Sequence, residues 1–258
     1  MITSKDNDII KDTAKLVKSS KYRREKGLFT AEGVRICLDG VKSGFAPKIF
    51  FYTSKSRDKY AKEFEKISAV SKKSLEVSQS VFEKISDTKS PQGFICVFEM
   101  LDKSKNMYTI NNQGNYIALE NLQDPVNLGT ILRTAEALGF NGVILSNDCC
   151  DFYSPKVVRG SMGAVFRLPL FAAENFIEYI DELTKSGIAT YGSTPRNAED
   201  ITSLNIGGGV MLIGNEGNGL SENVLNVCSK RVKIPMGGRA ESLNAAAAAA
   251  ILMWETVR

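Results

Sequence analysis

Residues 116–145 read YIALENLQDPVNLGTILRTAEALGFNGVIL, and this stretch decides the fold. Residues 116–119 are a short apolar run, and Asp124-Pro125 makes a turn with Asn127 as a good helix N-cap. Leu128, Ile131, Leu132, Ala135 and Leu138 then recur at helical spacing until Gly139 stops the helix. Residues 142–145 are apolar again. Strand, helix and strand in this order predict a β-α-β unit with a helix over 128–138.

The rhythm continues to the end of the chain. It predicts helices at 155–162, 174–186, 221–227 and 243–257, and strands at 168–171, 188–191, 210–213 and 232–234. Repeated β-α alternation implies a parallel sheet covered on both faces. Toward the N-terminus the pattern gives helices at 5–18 and 57–67, strands at 48–52, 75–77 and 93–98, and a helix entered from Phe29-Thr30-Ala31-Glu32-Gly33. This is a second, smaller α/β unit. The polar stretch 101–114 lacks periodicity, so the expected organisation is a domain over 1–105, a linker over 106–115 and a domain over 116–258.

Composition narrows the chemistry. The 258 residues are 43% hydrophobic and 24% charged, as in ordinary soluble proteins, and contain no histidine. That excludes Ser-His-Asp and Cys-His nucleophile sites and histidine metal sites, and no metal is expected. The five cysteines form no C-x-x-C pair and read as reduced thiols of a cytoplasmic protein. The N-terminus carries no apolar signal segment and no run is long enough to span a bilayer, so no membrane association is expected.

Charge is uneven. Residues 1–105 hold 22 Lys+Arg against 14 Asp+Glu, a net +8, whereas the remainder holds 11 against 15, a net −4. A basic unit joined to a slightly acidic one suggests that the first meets a polyanion; the alternative is a solvated lysine-rich surface. The densest cluster contains Lys18, Lys21, Arg23, Arg24 and Lys26 around Tyr22.

Three strand–turn–helix segments of the larger unit are candidate site elements, because open α/β sheets bind ligands at the carboxyl ends of their strands. In the first, Gly129 in an opening helical turn allows close approach of another group, and Arg133 lies one turn further on a polar stripe. The second, Gly214-Asn215-Glu216-Gly217-Asn218-Gly219-Leu220-Ser221, exposes backbone N–H groups and carries an acid where a phosphate cradle avoids one. The third runs from Ile234-Pro235-Met236 to Ser242-Leu243-Asn244, where Ser242 is the expected cap of an alanine-rich helix. Each alone also reads as a capped core helix or a plain turn. No P-loop and no dinucleotide fingerprint is present, which places an ordinary nucleotide-dependent enzyme last.

Together, Asn121-x5-Asn127-x-Gly129-x3-Arg133, Gly214-x-Glu216-x2-Gly219-Leu220-Ser221 and Ile234-Pro235-Met236-x-Gly238-x3-Ser242-Leu243-Asn244 resemble the three motifs of the SpoU (TrmH) family. Its members are the RNA 2′-O-ribose methyltransferases of the SPOUT superfamily. The resemblance covers residues 116–258 and includes Ser154-Pro155-Lys156-Val157-Val158-Arg159-Gly160-Ser161-Met162-Gly163-Ala164. Residues 10–98, with Phe29–Gly33 and Gln92-Gly93 as landmarks, resemble the ribosomal-protein-like substrate-binding domain of many members.

The resemblance implies a deep trefoil knot, which general topology rules disfavour, and a homodimer. It implies S-adenosylmethionine as cofactor, lined by Thr194, Gly214, Ile234, Met236 and Leu243. Asn127, Arg133, Glu216, Ser242 and Asn244 would form the reaction site. The family proposal has Arg133 activate the ribose hydroxyl; because a guanidinium keeps its proton, the expected role is instead to clamp a phosphate and orient that hydroxyl. Asn127, Ser242 and Asn244 would fix geometry, and Glu216 would organise the loop or Arg133. Lys18, Lys21, Arg23, Arg24, Lys26 and Arg159 would contact RNA, ribosomal in preference to transfer RNA, with no DNA role expected. The chain departs from the family in reading Asn244-Ala245-Ala246 where Asn-Val-Ser is frequent. The alternative function is a catalytically silent RNA-binding or ribosome-assembly protein on the same fold.

Overall fold

The computed structural model describes residues 1–101 and 110–258, so the expected linker at 106–115 lies outside the described residues over 106–109 and is described from 110 on. Two units pack separately. One comprises Met1–Leu101 with Asp151–Phe166, the other Asp102–Cys150 with Arg167–Arg258.

The first unit begins with α1 (Asp8–Lys18), α2 (Ser20–Lys26), β1 (Leu28–Glu32) and α3 (Val34–Lys42). β2 (Ile49–Tyr52), α4 (Ser54–Lys59), α5 (Ala61–Val70), β3 (Ser74–Glu76), α6 (Gln79–Ile85) and β4 (Phe94–Glu99) follow. The sheet order is β1-β4-β2-β3, antiparallel except for the β2–β3 pair. Ile10, Ala14 and Leu16 of α1 and Val81, Phe82 and Ile85 of α6 meet Phe51, Ile95 and Val97 of the sheet in one buried cluster. Three elements here were not expected from sequence: α2, which has no apolar stripe, β1, whose residues Phe29, Thr30 and Ala31 are all buried and so show no alternation, and the short α6; the single helix expected at 57–67 is divided into α4 and α5.

The second unit starts with β5 (Asn115–Leu119), α7 (Pro125–Ala137) and β6 (Gly142–Ser146). The chain then contributes α8 (Pro155–Gly160) to the first unit and passes through α9 (Ala164–Arg167). It returns as β7 (Leu170–Ala173), α10 (Phe176–Lys185), β8 (Thr190–Ser193) and β9 (Glu199–Asp200), with a 3-10 turn at Ile201–Ser203. β10 (Gly209–Ile213), α11 (Glu222–Val227), β11 (Lys230–Lys233) and α12 (Ala245–Val257) complete it.

The seven strands are all parallel in the order β7-β6-β5-β10-β8-β11-β9. Tyr116, Ala118, Val210 and Leu212 bury one face of the central strands against Phe176, Ile180 and Val224 of α10 and α11. The intervening residues Ile117, Leu119, Met211 and Ile213 are buried as well, on the face where α7 and α12 pack. Burial on both faces explains the continuous apolar runs. From β10 the chain passes two strands away to β11 and comes back to seat α12 against α7, β5 and β10. That doubling back over earlier strands is what a knotted path needs.

One expected boundary differs. Asp151–Phe166 follows β6 in sequence yet packs with the first unit. Phe29 stacks on Tyr153 with ring centroids 4.6 Å apart, Phe98 meets Phe166 edge-on at 5.1 Å, and Arg23 is ion-paired with Asp151 at 2.6 Å.

Candidate functional site

The first turn of the site is built by Asp124, whose carboxylate caps α7 by accepting from Val126 N, with Pro125 at the first helical position. The helix therefore starts earlier than expected, and Asn127 is not its cap. Asn127 sits in the first turn, 5% exposed, with its side chain free for tertiary bonds. At the other end of α7, Gly139 adopts φ 74°, the left-handed stop the sequence predicts.

The second turn folds back on itself: Asn215 and Gly219 exchange backbone hydrogen bonds of 3.0 and 2.9 Å. A Cβ at Gly214 would lie 2.0 Å from the carbonyl carbon of Gly219. Glycine at 214 is thus demanded by the returning backbone of the turn itself.

The third turn enters α12 through Asn244, whose Oδ1 accepts from Ala246 N at 2.9 Å and Ala247 N at 3.3 Å. Ser242 was expected to be this cap and is not. An Asn two residues further on reaches both orphan N–H groups. The Asn244-Ala245-Ala246 departure is absorbed locally, since the Ala246 N–H is satisfied by Asn244.

Side chains join the three turns. Asn244 Nδ2 donates to Asn127 Oδ1 at 3.0 Å, and Asn127 Nδ2 donates to Glu216 Oε1 at 3.1 Å. Glu216 also accepts from Asp124 N at 2.9 Å and Gln123 N at 3.2 Å. Partial burial pushes the Glu216 pKa up, but these hydrogen bonds, led by that from Asp124, outweigh it and hold the carboxyl below its ordinary value. An ionised carboxylate with both oxygens engaged organises a loop and is a poor proton acceptor.

Sequence reasoning missed a second tie. Ser221, the N-cap of α11, donates its N–H and hydroxyl to Glu120 at 2.8 and 2.7 Å, and Asn215 Nδ2 donates to Asn121 O at 2.9 Å. Glu120, an acid directly after an apolar strand, was the available signal. Cys149 Sγ accepts from Leu122 N and donates to Leu119 O, both at 3.3 Å. Burial pushes this thiol's pKa up, so it stays a donor. No local pattern in the sequence announces it.

Arg133 is exposed and has no hydrogen bond or ion pair among the described residues, so its guanidinium is free for a ligand. Ser242 is exposed, and no hydrogen bond among the described residues joins it to the asparagine–glutamate chain. Thr194, Gly214 and Ile234 stand one residue beyond β8, β10 and β11, which are neighbours in the sheet. Met236 and Leu243 leave 42% and 38% of their surface exposed. Apolar side chains held open beside strand ends and turn backbone suit a group with a flat heteroaromatic ring, and this set fits an adenosyl moiety.

The basic cluster is split by the fold. Lys18, Lys21, Arg24 and Lys26 are exposed, but Arg23 is 3% exposed. Its guanidinium is used up by Asp151 and by the carbonyl of Leu16 at 2.6 Å. The expectation that Arg23 contacts RNA is therefore corrected: it is a buried structural arginine. Arg159 is half-buried and paired with Asp87 at 3.2 Å.

The SpoU rRNA Methylase family matches residues 114–254, and an MRM3-like substrate binding domain matches residues 7–96. An uncharacterised tRNA/rRNA methyltransferase of Synechocystis is 31% identical over all of this chain and 93% of its own. The 23S rRNA (guanosine(2553)-2′-O)-methyltransferase RlmP of Bacillus subtilis is 29% identical, over 98% of this chain and 97% of its own. The crystal structure of an AdoMet-bound rRNA methyltransferase from Sinorhizobium meliloti superposes with a TM-score of 0.86 at 31% identity, covering 99% and 96% of the two chains.

Proposed function

The chain belongs to the SpoU rRNA methylase family, and from that membership and the site geometry we propose that it is an S-adenosylmethionine-dependent methyltransferase acting on a ribose 2′-hydroxyl of ribosomal RNA. The observation that carries this reading is the Asn244–Asn127–Glu216 chain, which fixes three turns of the sheet's carboxyl end against one another. When bound, S-adenosylmethionine supplies a methyl group on a good leaving group, so the protein's share is orientation and help with one proton.

The residues divide that work. Thr194, Gly214, Ile234, Met236 and Leu243 would hold the cofactor through turn backbone and apolar cover. Arg133 would bind a phosphate and aim the 2′-hydroxyl, while Asn127 and Asn244 keep the turns in register and Ser242 contributes from the third turn. Glu216 anchors the loop. Lys18, Lys21, Arg24 and Lys26 would contact phosphates, giving salt-sensitive affinity, and Arg159 would contact the RNA.

Two further readings accompany this one. Ile251 and Trp254 are 39% and 56% exposed on α12, an apolar stripe that a second copy in a homodimer would cover. No helix among the described residues is long and apolar enough to cross a membrane, and a cytoplasmic location beside ribosomal RNA suits the five free cysteines. The test is to map 2′-O-methyl groups in the ribosomal RNA of cells lacking the gene. One position should lose its mark and regain it on complementation; an unchanged map would count for the silent RNA-binding alternative.

A further inference from the structure

The first unit contains a cavity of about 380 Å³ at the turn from β1 into α3. Ile36 and Met162 form apolar wall, and Arg35, Asp39, Gln92 and Arg159 supply polar groups around it. Its volume lies within the range of small-ligand pockets, roughly 300–1,000 Å³. Arg159 is held at this wall by Asp87, which accepts from its Nη2 at 3.2 Å, while its Nη1 is buried with no hydrogen-bond partner among the described residues. The floor is rigid. Glu32 accepts from Ser86 Oγ, Thr88 Oγ1 and Asp87 N, which fixes the 86–88 turn, and Gln92 Oε1 accepts from Val34 N at 3.0 Å.

Ser90 and Gln92 also line a second, larger hollow of about 800 Å³ that includes Lys55, Lys59 and Tyr60. Lys59 lies over the Tyr60 ring at 5.1 Å, and the two lysines are one helical turn apart on α4. An apolar slot with donors and an acceptor at its edge, continuous with a lysine-lined trough, matches the two halves of a nucleotide. A base fits between apolar and guanidinium surfaces, and a phosphodiester tracks the cations. A duplex keeps its bases stacked and cannot offer one.

We propose that this double hollow of the first unit holds an unpaired nucleotide of the substrate RNA, its base in the Arg35–Arg159 slot and its backbone along Lys55 and Lys59. The assignment rests on the RNA reading above and adds where and in what form the RNA is read.

The test uses the full-length protein, a fluorescein-labelled single-stranded RNA of mixed sequence, and a fully paired duplex as competitor. The wild type should prefer the single strand. Ser90→Trp, which plugs the shared rim, and Lys55→Ala/Lys59→Ala should each weaken single-strand binding about tenfold; only the lysine pair should also flatten the salt dependence. Cofactor affinity and thermal midpoint should not move. RNA carrying 4-thiouridine should cross-link to residues 33–42 or 156–162. Variants that bind within twofold of wild type, or cross-links confined to other segments, overturn the proposal while leaving methyl transfer untouched. A protein that cross-links at this slot but transfers no methyl group would instead uphold the pocket and overturn the enzymatic reading.

Discussion

The side-chain amide of Asn244 donates to Oδ1 of Asn127 at 3.0 Å, tying together residues 117 positions apart. Asn127 passes the constraint to Glu216, and Asn244 holds the start of α12. Loss of the central link forfeits both hydrogen bonds of Asn127, whose partners Asn244 and Glu216 are exposed and can turn to water, so the cost is that of two ordinary hydrogen bonds, together about 1–3 kcal/mol.

Asn127→Ala should lower unfolding free energy by about that amount and depress methyl transfer. Asn127→Asp should be worse in spite of its shape, since a carboxylate would replace the donor that Glu216 accepts 3.1 Å away. Urea unfolding at neutral pH measures the order; an aspartate variant more stable than the alanine variant contradicts the network.

Arg133 is expected to affect methyl transfer and not stability. Arg133→Ala should leave unfolding free energy within about 0.5 kcal/mol of wild type and spare cofactor affinity, while transfer falls at least a hundredfold. Arg133→Lys should restore little, because an ammonium lacks the planar fork that grips phosphate. Single-turnover assays decide this, and near-full methylation by the alanine variant would remove Arg133 from the mechanism.

The Glu216 carboxyl has a folded pKa below its unfolded one. Its stabilising contribution is complete above the unfolded value of about 4.3 and is lost as pH falls through the folded one. The thermal midpoint of wild type should thus exceed that of Glu216→Gln by a constant gap from pH 7 to about 5, closing on further acidification. A gap that widens in acid would reverse the assigned sign.

Arg23 and its neighbours should separate cleanly. Arg23→Ala strands Asp151, and breaking a buried pair costs about 3–5 kcal/mol. Lys21→Ala and Arg24→Ala, both exposed, should leave stability intact and weaken RNA binding with a shallower salt slope. Equal stability of all three variants would contradict the buried role of Arg23.

Much of the second unit was legible because its strands are short apolar runs and its helices carry stripes and stops, as Gly139 illustrates. The three turns were legible as positions but not as partners. Nothing near Asn127 says that its amide will be shared between Glu216 and Asn244, since that follows from strand order. Arg23 is the opposite case: within SKYRREK it looks like one more surface cation, yet the carbonyls of Leu16 and Val17 and the carboxylate of Asp151, 128 residues away, hold it inward. Residues 151–166 pack with the first unit through that pair and through Tyr153 and Phe166 on Phe29 and Phe98. β1 escaped notice because burial on all sides erases the alternation that marks a strand.

The most direct measurement incubates purified protein with ribosomal RNA and S-adenosylmethionine carrying a tritiated methyl group, then hydrolyses the RNA in alkali. A methylated 2′-oxygen cannot attack its neighbouring phosphate, so the label should appear in an alkali-stable dinucleotide, and Arg133→Ala should abolish it. Label found only in mononucleotides, or none transferred to RNA from cells lacking the gene, would contradict ribose methylation at this site.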